Sequence, residues 1–401
     1  MNGWKLLWRN MLYRKSLSLL TIFAVAVTVS LFVLLLLCKD GFERGAANGY
    51  GPFELVIGAE GSESQLVLNT FYRAGAPTGN IPLEVLQAVS EENQVDAAFG
   101  MTAGDHYNGF PIVGMDPAYF PVRYGDRHLK EGRLYGQLGE VTLGYAAAQS
   151  LGVRVGDQFS GAHGLIGHHE LEEEHGDHEE DAHESFKYTV VGVLPKLNTA
   201  DDRAIFTTMD YAWAVHDHQQ GAREVTAILV KPKSLLGAQS VKQKYDQWDR
   251  VQAVYTSKAV ADLLNMVDTG SQILTLVMTI CVLLAASSLL LSLTAAFHER
   301  KKDIGLLRLI GKSKSYILLT LLGEGMVLTA AGLAAGLLVG HAAGWLISEP
   351  LFTATGIQLE GFRLSANEVY ITASALALGA IASIIPAVRL YRVDAQSLFR
   401  S

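Results

Sequence analysis

The chain has 401 residues, of which 49% are hydrophobic and only 18% charged, a shortage of charge for a soluble domain. The formal net charge of −8 is concentrated, since nine carboxylates and no Lys or Arg fall within His163–Glu184 and the remainder is close to neutral. This excludes the basic stripe of a nucleic-acid binder, and two cysteines in apolar runs, Cys38 and Cys281, exclude an internally disulfide-stapled fold between them.

Residues 1–15 carry Lys5, Arg9, Arg14 and Lys15 and lead into Ser16–Cys38, 23 residues without a charge. At 1.5 Å per residue such a helix exceeds the ~30 Å hydrocarbon core, so a first transmembrane helix is predicted. Its apolar core is too long for a signal peptide and no A-x-A-like site follows; Leu35-Leu36-Leu37-Cys38 lacks the small residue a lipoprotein-processing site wants before its cysteine. The expectation is an uncleaved helix.

Residues 39–269 are enough to build a packed core. Alternation in Phe53–Ile57, Phe186–Leu194 and Val225–Val230 predicts strands, while Pro82–Glu92, Gly144–Ser150 and Ser234–Trp248 read as helices, giving a mixed α/β domain. Val260–Thr269 is expected to continue as helix into the next span. Within this domain the stretch 161–185 holds six of the twelve histidines, His163, His168, His169, His175, His178 and His183, among carboxylates. Neutral imidazole suits zinc, copper or nickel, and carboxylates can complete a site. A solvated acidic loop fits the same composition, and a loop that folds around metal reconciles the two. The spacing fits no closed site, and His216 and His218 read as ordinary surface.

Charge-free Gly270–Phe297 predicts a second span, Tyr316–Ser348 a third with Glu324 and His341 inside it, and 369–390 a fourth. A carboxylate or imidazole at such depth is expected to face protein or water, as a helix–helix hydrogen bond more readily than an ion path. The connections are 298–315, the loop 349–368 and the tail 391–401. Basic residues cluster before span one, between spans two and three (Arg300, Lys301, Lys302, Arg308, Lys312, Lys314) and at the end (Arg389, Arg392, Arg400). With four spans all three clusters share one side, so the termini are expected in the cytoplasm, with 39–269 and 349–368 outside.

The 298–315 connection alternates basic residues with an apolar stripe at Ile304, Leu307 and Ile310, the pattern of a short amphipathic helix at the membrane surface. A plain positive-inside loop accounts for the charges equally. The segment resembles the E-R-x-x-E-I-G-x-x-R-x-x-G signature of the MacB/FtsX/LolC-type ABC permeases through Glu299, Arg300, Asp303 (in place of Glu), Ile304, Gly305, Arg308 and Gly311. Glu324 matches a further glutamate of the family. The ladder Gly332, Gly336, Gly340 and Gly344 fits too, since small residues let membrane helices approach closely. Leu151-Gly152-Val153-Arg154-Val155-Gly156-Asp157 is similar to the family's L-G-x-x-x-G-D turn, and Tyr188–Leu194 to the strand after it. The ending from Pro386 to Phe399 matches weakly, with Leu390, Ala395 and Phe399 standing where the family has Ala, Pro and Leu.

The resemblance implies a membrane α-helical protein of four transmembrane helices with a large α/β extracytoplasmic domain of MacB-like porter type carrying an inserted lobe. It also implies a bacterial inner-membrane location, self-association or pairing with a related permease through spans one and two, and a separate ABC ATPase subunit that binds ATP and receives the 299–315 helix. Gly305 and Gly311-Lys312-Ser313 only mimic a phosphate-binding loop, with five residues between the glycines instead of four. No nucleophile–base set emerges, so no catalytic role is expected. The function expected is a permease subunit coupled to ATP hydrolysis, with export or lipoprotein release, FtsX-like control of a periplasmic enzyme, and divalent-metal (zinc) homeostasis with a periplasmic metal-binding or substrate protein as competing outputs. A membrane-anchored metal-binding protein without an ATPase is the alternative of another class.

Overall fold

The computed structural model describes residues 13, 15–163, 187–216, 223–299, 310–362 and 364–391. These form two compact units, a helical one drawn from Met1–Asp40, Asp268–Ser348 and Leu359–Ser401 and an α/β one drawn from Gly41–Val267 and Glu349–Gln358. Helix α1 runs Lys15–Gly49. There follow β1 (Leu55–Ala59), α2 (Glu63–Tyr72), β2 (Ile81–Pro82), α3 (Leu83–Ser90), β3 (Val95–Tyr107), β4 (Phe110–Met115), α4 (Tyr119–Tyr124), β5 (Glu131–Gly132), β6 (Glu140–Leu143) and α5 (Tyr145–Leu151). Next come β7 (Gln158–Phe159), β8 (Ala162–His163), β9 (Tyr188–Val193), a 3-10 turn (Ala200–Arg203), β10 (Ile205–Thr207), α6 (Met209–His216), β11 (Glu224–Val225), β12 (Ala227–Pro232), α7 (Leu235–Tyr245) and β13 (Val251–Tyr255). The long helices α8 (Thr256–Glu299), α9 (Lys314–Thr355) and α10 (Ala366–Tyr391) complete the described chain.

The α/β unit is built on one mixed sheet in the order β13-β1-β12-β3-β4-β10-β6-β9-β5. Strand β1 shows why Leu55-Val56-Ile57 is a continuous apolar run. Successive side chains point to opposite faces, and both faces are covered. Leu55 and Ile57 join Ile228, Val230 and Ala253 in a core with Val85, Val89 and Val241 of α3 and α7, while Val56 joins Leu229 and Val254 in a second core with Leu66, Val67 and Phe71 of α2. Each such side chain, fully buried, stabilises by roughly 1.5–3 kcal/mol. A third core around β6, β9 and β10 (Val141, Leu143, Val190, Ile205) is packed by α5 and α6.

The 151–157 motif has a local cause. Gly152 caps α5 at φ 67° and Gly156 turns at φ 101°, conformations that disfavour any residue with a Cβ. The Asp157 carboxylate accepts from Arg154 N at 2.8 Å, and backbone bonds Gly156 N to Val190 O and Val190 N to Asp157 O tie the turn to β9.

Element ends differ from expectation in instructive ways. The strand expected at Phe53 begins at Leu55, while Phe53 packs in the core against Tyr119, with ring centroids 5.7 Å apart. Helix α1 does not stop with its apolar run at Cys38 but continues through Lys39, Asp40, Glu43 and Arg44 to Gly49. The segment 349–368, expected as a loop, is helical as far as Thr355 despite Pro350.

In the helical unit α1, α8, α9 and α10 are each long and apolar enough to cross a membrane. Helix α9 meets α1 along its glycines. A Cβ on Gly332, Gly336 or Gly340 would come within 2.7–2.8 Å of the Cβ of Val25, Val29 or Val33 respectively, so two rows of period four interlock. Helix α10 fits α9 reciprocally, since Gly325 faces Ser383 and Gly379 faces Thr329.

Candidate functional site

Asp201, in the 3-10 turn, is fully buried and saturated with donors. Its Oδ1 accepts from Arg73 Nη2 at 2.9 Å. Its Oδ2 accepts from the hydroxyls of Tyr119 and Tyr124, both at 2.7 Å, and lies 3.3 Å from Arg123 Nη1. Burial by itself would raise this carboxyl; the Arg123 and Arg73 charges and the two tyrosine hydroxyls outweigh it and hold it at about 2. Arg73 occupies the C-cap of α2 in the left-handed region, φ 54°.

The same cluster grips the end of α1. Arg123 donates to the carbonyl of Gly49, and Tyr72 OH donates to that of Ala46 at 2.6 Å. Next to Asp201, Asp202 closes a capping box with Thr199 and accepts from Leu197 N at 2.9 Å. Burial pushes its carboxyl up to about 6, against the opposing pull of the backbone donors of Leu197, Thr199 and Asn198.

Beside this cluster lies a cavity of about 640 Å³, lined only by residues of the α/β unit. Its wall is largely apolar, with Phe42 of α1, Leu68 and Tyr72 of α2, Val113, Val260, Leu263 and Ile357. Arg73, Asp105 and Arg203 bring charge to it.

In the helical unit Glu324 is buried and partnered. His341 Nδ1 lies 2.6 Å from the carbonyl of Gly361, which can only accept, so this nitrogen carries a proton. His341 Nε2 lies 3.1 Å from Glu368 Oε2, while Glu368 Oε1 accepts from Ser365 N at the start of α10. The His341–Glu368 contact thus links α9 to the cap of α10.

The family model of the MacB-like periplasmic core domain matches residues 18–247, and that of the FtsX-like permease C-terminal region matches residues 275–395. The chain belongs to the MacB/FtsX-type permeases. Among solved structures this permease is similar to the periplasmic region of MacB from Actinobacillus actinomycetemcomitans, at 12% identity over 53% of this chain and 95% of that one, with a TM-score of 0.35. It is also similar to the extracellular domain of the noncanonic ABC-type transporter YknZ from Gram-positive bacteria, at 10% identity over 50% of this chain and 98% of that one, with a TM-score of 0.31. Among curated proteins none matches.

Of the permease's signature residues, Glu299 ends α8, and Gly311 forms the turn before α9 at φ 90°, where a side chain would be strained. Arg300, Asp303, Ile304, Gly305 and Arg308 lie outside the described residues. So do His168, His169, His175, His178 and His183; of these histidines only His163 has a placed backbone, in β8 opposite Asp105 of β3. Among the described residues no cluster of three metal-ligating side chains forms.

Sequence reasoning missed Arg73, Arg123 and Asp201. The T-x-x-D spacing of Thr199 and Asp202 is a readable capping signal that marks the turn, but nothing in sequence joins Asp201 to Arg73, 128 residues away.

Proposed function

We propose that this permease is the membrane subunit of an ABC machine whose separate ATPase drives movement of the α/β domain. The observation that supports it most is the union, in one chain, of an FtsX-like C-terminal region with a MacB-like core domain. Helices α1 and α8 then serve as levers. Each is unbroken from the helical unit into the α/β unit, where α1 ends in the Arg123 and Tyr72 contacts and α8 follows β13 without a loop. In this reading two copies, or one copy and a related permease, associate through α1 and α8 in the bacterial inner membrane. The termini are cytoplasmic, the α/β domain periplasmic, and the segment Glu299–Gly311 docks on the ATPase, with Arg300, Asp303, Ile304, Gly305 and Arg308 forming the contact.

Purification of the tagged chain from its native membrane, followed by mass spectrometry, tests this. An ABC ATPase is expected with the wild type and lost in Gly305→Trp and Arg308→Glu. Retention of the ATPase by both variants, or its absence from the wild type in mild detergent, overturns the reading. A periplasmic companion in the eluate separates the outputs, whether exported cargo, a released lipoprotein or a regulated enzyme.

A second reading adds divalent metal, zinc foremost, at the 161–185 tract. The β3–β8 ladder favours it, because Asp105 stands directly opposite His163 and places a carboxylate position beside the first histidine. Equilibrium dialysis of zinc against the full chain and a 163–184 deletion decides it, and equal uptake by both would sink the metal role.

A further inference from the structure

Arg203 is a charged group of the α/β domain for which the described residues supply no ion pair. It lines the 640 Å³ cavity and is half-buried, with its Nε enclosed and without a hydrogen-bond partner. Among the described residues no carboxylate pairs with it, and burial lowers its proton affinity. The other charged groups on the cavity wall are satisfied, Arg73 by Asp201 and Asp105 by a partner of its own. An arginine set into an apolar wall without a counter-charge carries an unbalanced desolvation penalty, which a bound anion would offset.

The wall decides what kind of anion. Leu68, Tyr72, Val113, Val260, Leu263 and Ile357 offer hydrocarbon and one aromatic ring, suited to an apolar body and not to a bare phosphate or a metal complex. The volume falls in the range of about 300–1,000 Å³ that accepts a drug-sized molecule. A guanidinium fork matches a carboxylate in two parallel hydrogen bonds. All lining residues come from the α/β unit, which the proposed reading puts in the periplasm, and on that reading the ligand is one that arrives through water.

We infer that this cavity is a binding site for a small water-borne amphipathic carboxylate, with its acid group on Arg203 and its apolar body against α2, α8 and the 354–357 segment. The site needs no ATPase and can be read on the chain alone, so its failure and that of the ABC reading are separable.

The test uses the full chain in phosphatidylcholine nanodiscs, with 2-naphthoate as probe and uncharged 2-naphthamide as control, followed by equilibrium dialysis. Saturable naphthoate binding is expected, weakened about tenfold or more by Arg203→Gln, as loss of a charge-assisted bond requires. Arg203→Lys keeps the charge without the fork and should bind between wild type and Arg203→Gln. Gly104 borders the cavity with open space where a Cβ would stand, so Gly104→Phe should abolish binding while leaving Arg203 in place. Equal binding of naphthoate by wild type and Arg203→Gln, or of naphthamide and naphthoate by the wild type, overturns the proposal. The naphthoate-to-naphthamide ratio needs no variant and stands should a substitution impair folding.

Discussion

Gly336 of α9 lies so close to Val29 of α1 that a methyl group added to the glycine would sit 2.7 Å from the valine Cβ and 2.7 Å from the carbonyl of Ala26. Both atoms are fixed, one to the backbone and the other part of it. At Gly344 the corresponding contact is Leu37 Cδ1 at 2.6 Å, the far end of a flexible side chain, with nothing else nearer than 3.8 Å.

The same substitution should therefore behave differently eight residues apart. Gly336→Ala must push α1 from α9 and should destabilise by about 1–3 kcal/mol, the usual cost of overpacking. Gly344→Ala needs only a new Leu37 rotamer and should stay within about 1 kcal/mol of wild type. Thermal midpoints of the two variants in nanodiscs check this, and equal losses would show that the glycine seam does not set the helix spacing.

Asp201→Asn should be among the most damaging single changes in the α/β domain. Arg73 and Arg123 would remain buried with no counter-charge, at a cost of about 3–5 kcal/mol. The carboxyl is held at about 2, below its usual 3.8, so its stabilisation is present above pH 3.8 and is lost as pH falls through 2. Denaturant unfolding at pH 7, compared with Asp105→Asn as a control on the same cavity wall, reads the difference; a midpoint like that of the wild type would refute the role assigned to the cluster.

Asp202 has the opposite sign. Its carboxyl is raised to about 6, so the neutral form is favoured in the folded state and that contribution is complete below pH 3.8 and lost as pH rises through 6. Asp202→Asn cannot titrate, so the gap between the two unfolding midpoints should change between pH 4 and pH 7 and level off above. The variant also loses one acceptor oxygen of the capping box, a pH-independent cost of about 1 kcal/mol. A gap constant with pH would mean that Asp202 stays ionised throughout.

Legibility followed the range of the forces. The four spans were readable because lipid demands about twenty uncharged residues in a row, a purely local condition. The period-four glycines announced a close helix contact, and the alternation of 188–193 announced a strand, but neither named its partner. Sequence alone puts Lys39–Gly49 of α1 in the outer domain and reads no helix there, while the bonds from Arg123 and Tyr72 hold its end in the structure.

By itself, then, the sequence determined the membrane character, the class of the outer domain and the family, because each rests on composition, periodicity or residues adjacent in the chain. Tertiary structure alone decided that Val29 is the neighbour of Gly336, that Asp201 neutralises arginines at 73 and 123, and that Arg203 faces an apolar cavity without a counter-ion among the described residues. These are pairings of groups far apart along the chain, and a buried charge acquires its meaning only from the atoms that replace its water.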